Sequence, residues 1–173
     1  GLVINFAHTK AMAEKGVVNE GDNSTHLSLK GIPEIAEELM VARDLQILEY
    51  TGGRLHFSCI SSPKSVKLIQ EAKQKGLKVS LDVSTTNLLL NDDHLETFDT
   101  NYKVLPPLRS KTSQENLIQL VLDGKIDAIC SDHWPQDIEA KRKEFDYADF
   151  GMINLQTAFA AAHTALNDQQ SLA

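Results

Sequence analysis

The most constraining feature of the sequence is an alternation. Short apolar runs rich in β-forming residues give way four times to longer segments with helical spacing. Residues 2–7 (LVINFA) form the first such run, and a polar loop with Gly16, Gly21, Asp22 and Asn23 follows. In residues 33–50, opened by Pro33, the apolar positions Ile35, Leu39, Ala42, Leu45 and Leu48 recur at helical spacing. Acids crowd the first turn and Gly52-Gly53 closes the segment, all of which predict a helix. Residues 54–60 (RLHFSCI) read as a strand, residues 63–75 as a helix that Gly76 ends, and residues 77–83 (LKVSLDV) as a further strand. After the loop of residues 101–113, a helix is expected over residues 114–122, a strand over 125–132 (KIDAICSD) and a last helix over 150–166.

Strands separated by helical crossovers pair in parallel, so the class is α/β with a parallel sheet. An open doubly wound sheet suits the length, but no strand is followed by a Gly-rich turn, so the dinucleotide fingerprint is missing. A closed (β/α)8 TIM barrel needs about 250 residues. Four βα units would be half of one. The chain opens on "GLVINFAH", with neither Met nor lead-in, and this favours a half-barrel cut from something longer.

The balance of charge narrows the partners. A net charge of −7 with 17 scattered Lys and Arg argues against a nucleic-acid surface. No apolar run approaches the roughly 18 residues of a membrane span, and no signal peptide is visible. Cys59 and Cys130 both lie in apolar, strand-like runs, which favours reduced core thiols over a disulfide and a cytoplasmic setting.

In parallel βα architecture, reactive groups collect at the carboxyl ends of strands. His8 stands at the end of the first strand, Cys59 and Ser61 at the second, Thr85 to Asn87 after the third, and Asp132 with His133 at the fourth. His56, in mid-strand, reads as a core histidine bonded to backbone, while His26, His94 and His163 carry no chemistry. A His and an Asp from separate strands could hold zinc, the carboxylate also taking a proton from metal-activated water. Two ligands are too few for a catalytic zinc, which takes three protein ligands and an open position.

Several stretches carry a family likeness: residues 31–79, "YKVLPPLRS", "LVLDGKIDAICSDHWP" and "EAKRKEFDYADFGMINLQT". In order and spacing they resemble the second half of a dihydroorotase of the amidohydrolase superfamily, over about residues 2–166. The resemblance implies a distorted (β/α)8 amidohydrolase barrel, of which residues 1–166 supply strands five to eight, with 167–173 a polar tail or truncated linker. It further implies one or two zinc ions whose activated hydroxide interconverts dihydroorotate and N-carbamoyl-aspartate in pyrimidine biosynthesis. His8 matches the fifth-strand metal ligand, and Asp132 the eighth-strand ligand and general base. The remaining ligands lie on strands upstream of Gly1.

The sequence departs from that pattern at chemical positions. The sixth-strand motif H-I-x-H-V-S-T reads His56-Phe57-Ser58-Cys59-Ile60-Ser61-Ser62, so Cys59 stands where a ligand histidine belongs, as a lost ligand or a thiolate substitute. The fifth-strand H-C-E-D keeps only His8 of its chemistry. Among the substrate-binding positions, the P-H-H-L motif reads Thr85-Thr86-Asn87-Leu88, the Asn before PPLR is Leu105, and the histidine after D-H-A-P is Gln136. Two functions follow: a zinc-dependent cyclic amidohydrolase with a shifted site, or a non-catalytic homologue kept for assembly. The resemblance supplies aspartate transcarbamoylase, a homodimer and the missing N-terminal half of the barrel as partners. An unrelated open-sheet binding module is the third alternative.

Overall fold

The computed structural model describes residues 1–170 of the 173. In chain order the elements are β1 (Val3–Phe6), α1 (Lys10–Ala13), β2 (Val18–Asn19), α2 (Asp22–His26), β3 (Gly31–Ile32), α3 (Ile35–Thr51), β4 (Leu55–Ser58), α4 (Pro63–Gln74), β5 (Val79–Ser84), α5 (Thr85–Leu89), α6 (Lys111–Leu122), β6 (Ala128–Cys130), α7 (Ile138–Lys141) and α8 (Ala158–Gln170). The main sheet has the order β1-β4-β5-β6, every pair parallel, with α3, α4 and α6 as crossovers. A second, two-stranded sheet pairs β2 with β3. The result is an α/β fold whose parallel sheet is consistent with part of a (β/α)8 barrel.

Register sorts the strand residues onto two faces, because directly paired residues of parallel strands project alike. The row Phe57–Leu81, with Leu55, Val79 and Val83, faces the helices and packs on Val41, Leu48, Val66, Ile69, Leu117 and Ile118. Phe57, Leu81 and Val83 are fully buried there, each such side chain worth about 1.5–3 kcal/mol of transfer free energy. The opposite face carries Ile4, His56 and Ser80 in one row, Phe6 and Ser58 in the next, then Asp82 beside Ala128 and Ser84 beside Cys130. A parallel sheet covered on both sides reads as a continuous apolar run. The polar alternation in β4 and β5 instead marks one face as the wall of a site.

Two helices start close to where the sequence says, α3 at Ile35 and α4 at Pro63, while α6 begins at Lys111, three residues ahead of the expected 114. Ser62 caps α4, its hydroxyl accepting from Lys64 N–H at 3.3 Å, with Pro63 in the first turn. Gly52 and Gly76 close α3 and the turn after α4 with φ of 68° and 84°, a backbone that L side chains resist.

The structure corrects several expectations. On α3 the anticipated apolar stripe does not define the buried face: Ile35 and Leu39 are 43% and 49% exposed, while Ala36, Glu37, Glu38, Val41 and Leu48 are buried. The helix is turned by its acids, since Glu37 accepts from Ser61 N–H at 3.1 Å and Ser62 N–H at 2.9 Å. The "polar loop" after β1 holds α1, β2, α2 and β3, whose strands of two residues each are too short to show periodicity. The last helix begins at Ala158 rather than residue 150. Ahead of it, His133 Nδ1 accepts from Asn154 and Leu155 N–H, both at 3.1 Å, and Lys141 Nζ donates to the Gly151 carbonyl at 2.8 Å, which holds the segment out of helix. Residues 167–170 of the expected tail belong to α8, and 171–173 lie outside the described residues. Among the described residues β1 and β6 are each paired on one side only, and Val3 and Ile4 are 61% and 66% exposed. No helix among them is long and apolar enough to cross a membrane.

Candidate functional site

The polar wall converges on Asp82 of β5. Its carboxylate is buried and accepts from three donors on β4 and just beyond it: His56 Nε2–H at 2.8 Å, Ser58 Oγ–H at 3.2 Å and Cys59 N–H at 2.7 Å. His56 Nδ1 in turn accepts from Ser80 Oγ–H at 2.8 Å. His56 is therefore a bonded core histidine, but its partners are side chains rather than the expected backbone.

Cys59 follows the strand with φ of 56° and Asp132 follows β6 with φ of 48°, both in the left-handed region that non-glycine residues rarely occupy. This bend brings Cys59 Sγ to 3.5 Å from Cys130 Sγ, across the intervening β5. Both cysteines are free thiols, in keeping with the sequence. A hydrogen bond to Cys59, burial and the Asp82 charge push the Cys130 thiol far above its ordinary range. Burial raises the Asp132 carboxyl as well, against a hydrogen bond from Cys59 that favours the ionised form.

The ligand atoms that come together are Cys59 Sγ, Cys130 Sγ and an Asp82 oxygen, all within 4.8 Å of one another. The sequence-derived set was His8, Cys59 and Asp132. Cys59 and Asp132 do share a rim, but His8 is not part of this convergence. It lines a cavity of about 820 Å³ with Lys15, Lys30, Lys103, Leu105 and Phe150. Burial and the Arg109 guanidinium hold the His8 imidazole below its ordinary pKa, with Glu37 opposing. Of the two residues that complete the observed cluster, Cys130 reads from sequence as a core thiol, and Asp82 carries no strand-end signal because it lies in mid-strand.

The substrate-binding expectations fare differently from one another. Leu105 faces the same cavity as His8 and packs beside Ala13, Ile32 and Ala36. Asn87 is buried and spends its amide on structure, donating to the Pro107 carbonyl at 2.9 Å and accepting from Ser84 Oγ–H at 2.7 Å. Gln136 donates to the Phe150 carbonyl at 2.8 Å. His133 caps residues 154 and 155, as above, which leaves its Nδ1 no chemical role.

Beneath the strand ends lies a buried ionic network. Glu37 also accepts from Ser61 Oγ–H at 2.6 Å, with Arg109 Nη2 at 3.7 Å. Arg109 donates to Ser61 Oγ at 2.9 Å, Asn19 Oδ1 at 3.0 Å and the Ile32 carbonyl at 3.2 Å. It ties the PPLR loop, α3, β2, β3 and the loop after β4 together.

No family model matches the sequence. Among curated proteins, the dihydroorotase of Thermoanaerobacter sp. (strain X514) is 45% identical over 165 residues, 95% of this chain and 38% of its own length. The dihydroorotase of Syntrophobacter fumaroxidans is 46% identical over 156 residues, 90% of this chain and 36% of its own length. The chain therefore spans little more than a third of these relatives. Among solved structures, an L-hydantoinase (dihydropyrimidinase) from Arthrobacter aurescens aligns with a TM-score of 0.78 at 24% identity, over 93% of this chain and 37% of that one. The Saccharomyces cerevisiae dihydroorotase in complex with 5-fluoroorotic acid gives a TM-score of 0.74 at 16% identity, over 99% and 45%. These two likenesses establish the fold. Together the comparisons show sequence similarity to curated dihydroorotases over most of this chain and a fold shared with a hydantoinase and a dihydroorotase of known structure, with a Cys/Asp/Cys cluster as the potential metal site.

Proposed function

From this homology we propose that the chain is part of a dihydroorotase-like cyclic amidohydrolase that interconverts dihydroorotate and N-carbamoyl-aspartate in the cytoplasm. On this reading residues 1–166 are strands five to eight of a (β/α)8 barrel, and further ligands come from the part of the barrel this chain does not span. The observation that carries it is the 45% identity to a dihydroorotase over 95% of the chain. Supporting it, His8 and Leu105, two positions that the sequence marks for metal and substrate, open on one cavity. Lys15, Lys30 and Lys103 line that cavity too, with Asp146 and Asp149 beside them.

Zinc would supply a Lewis acid and an activated water. On this reading His8, Cys59 and Asp132 would help to hold it, together with ligands from the part of the barrel this chain does not span. Asp132 is the proton carrier on this reading, at the strand-end position the sequence marks for a general base, and burial raises its carboxyl above the ordinary carboxylate range.

One observation favours a second reading, a non-catalytic homologue. The residue at the expected ligand position, Cys59, is engaged with Cys130, and Gln136 and Asn87 are bonded to backbone rather than free for substrate. Incubating the full-length protein with dihydroorotate and following N-carbamoyl-aspartate separates the two. Turnover that falls about 10²–10⁴-fold in Asp132→Asn supports the enzyme. A folded protein without turnover supports the assembly role.

A further inference from the structure

We propose that Cys59, Cys130 and Asp82 form a zinc-class metal site of their own, distinct in ligand set from the His8, Cys59 and Asp132 arrangement. The inference concerns metal binding and stands whether or not the protein hydrolyses a cyclic amide.

Geometry is the first ground. Zinc binds thiolate sulfur at about 2.3 Å in a tetrahedral shell, which separates two such sulfurs by about 3.8 Å. Cys59 Sγ and Cys130 Sγ stand 3.5 Å apart, and an Asp82 oxygen lies within 4.8 Å of both. Uptake therefore needs only a small parting of the sulfurs. Three protein ligands with a fourth position open is the pattern of a zinc site that keeps a place for water or substrate.

The surroundings are the second ground. A metal-binding carboxylate is normally fixed by donors behind it, and Asp82 is held by His56 Nε2–H, Ser58 Oγ–H and Cys59 N–H. His56 is itself oriented by Ser80. The ligands come from three different parts of one rigid sheet: the residue after β4, the middle of β5 and the end of β6. The left-handed backbone at Cys59 accompanies the approach of its thiol to Cys130. As the metal binds, the two sulfur–metal bonds replace two S–H bonds, and both protons pass to solvent. Thiolates select zinc, cadmium and cobalt over magnesium, calcium or manganese, which prefer all-oxygen shells.

The test is a titration of the reduced full-length protein with Cd²⁺, read by thiolate-to-cadmium absorption, and with Co²⁺, read by the visible bands of tetrahedral cobalt. One equivalent of metal is expected to saturate the thiolate-to-cadmium signal, which reads the two cysteines alone. Cys59→Ser and Cys130→Ser should each abolish the cadmium signal at that stoichiometry. His56→Ala, which removes only the support behind Asp82, should weaken binding about 10–100-fold. His26→Ala, at an exposed histidine of α2, should leave it unchanged. Because a ligand variant could misfold, alkylation of the wild-type thiols is read in parallel: added Zn²⁺ should slow it for both cysteines together. No thiolate band, alkylation indifferent to zinc, or a signal that survives either serine variant would overturn the site. Metal uptake by a protein inert toward dihydroorotate would sink the hydrolase reading alone. Hydrolysis with a signal lost in His8→Ala but kept in Cys130→Ser would sink this one alone.

Discussion

Replacing Glu37 by Gln should be among the most damaging single-atom changes available in this chain. The Glu37 and Arg109 side chains are each only 4% exposed and stand 3.7 Å apart. The carboxylate also receives Ser61 N–H, Ser61 Oγ–H and Ser62 N–H. An amide keeps one acceptor oxygen and turns an NH₂ toward the other donors, while Arg109 keeps its charge without a counter-ion. Hydrogen bonds to a charged group are worth about 1.5–3 kcal/mol each, and removing one partner of a buried pair costs about 3–5 kcal/mol. These describe overlapping losses, so the expected destabilisation is about 3–5 kcal/mol rather than their sum. At about 2–4 °C per kcal/mol for a chain of this size, the melting temperature should fall by about 6–20 °C. Urea unfolding followed by circular dichroism measures it, with an unchanged denaturant slope showing that both end states are preserved. Arg43→Ala is the control: that guanidinium is 58% exposed and its ion pair with Asp44 should contribute no more than about 1 kcal/mol. A loss below about 1 kcal/mol in Glu37→Gln, with the slope unchanged, would refute the claim that this network fixes the strand-end loops.

Two further outcomes follow from burial. Phe57→Ala empties a fully buried position at the centre of the helix-facing core and should cost about 3–5 kcal/mol in the same urea assay. Asp132→Asn should stabilise the protein at neutral pH. The folded state raises the Asp132 carboxyl, so it holds the proton more tightly than the unfolded chain does, and the wild type loses stability as pH rises from the unfolded pKa through the folded one. The variant carries no such penalty, and its advantage should vanish below the ordinary carboxylate pKa of about 3.9. Denaturation midpoints collected across pH check this; an advantage that persists in acid would contradict it.

The order of the main sheet was legible because each crossover helix carries its own punctuation. Pro33 and Pro63 open helices, Gly52 and Gly76 close them, and the apolar runs between can only pair in parallel. What was not legible depends on partners distant in sequence. β2 and β3 are two residues each and exist because they pair with one another, which no local window detects. The buried face of α3 was misassigned because apolar spacing counts Ile35 and Leu39 inward, whereas Ser61, Ser62 and Arg109 draw in an acid instead. Periodicity assumes that apolar atoms decide the face, and here a buried charge does.

The site shows the same limit at finer grain. That chemistry gathers at the ends of β4 and β6 follows from βα topology, and Cys59 and Asp132 are indeed in contact there. Which atoms converge is decided by two backbone torsions, φ of 56° at Cys59 and 48° at Asp132, and neither residue type announces a left-handed bend. Without that bend a side chain one residue past Ser58 would fall on the helix-facing side of the sheet, by simple alternation. With it, Cys59 reaches over β5 to Cys130, and Asp82 changes from a buried acid needing explanation into the centre of a set of donors. A histidine at position 59 would place its ring nitrogens farther from the backbone than Sγ lies. The cysteine therefore relocates the convergence point toward the sheet, where Asp82 and Cys130 lie and His8 does not.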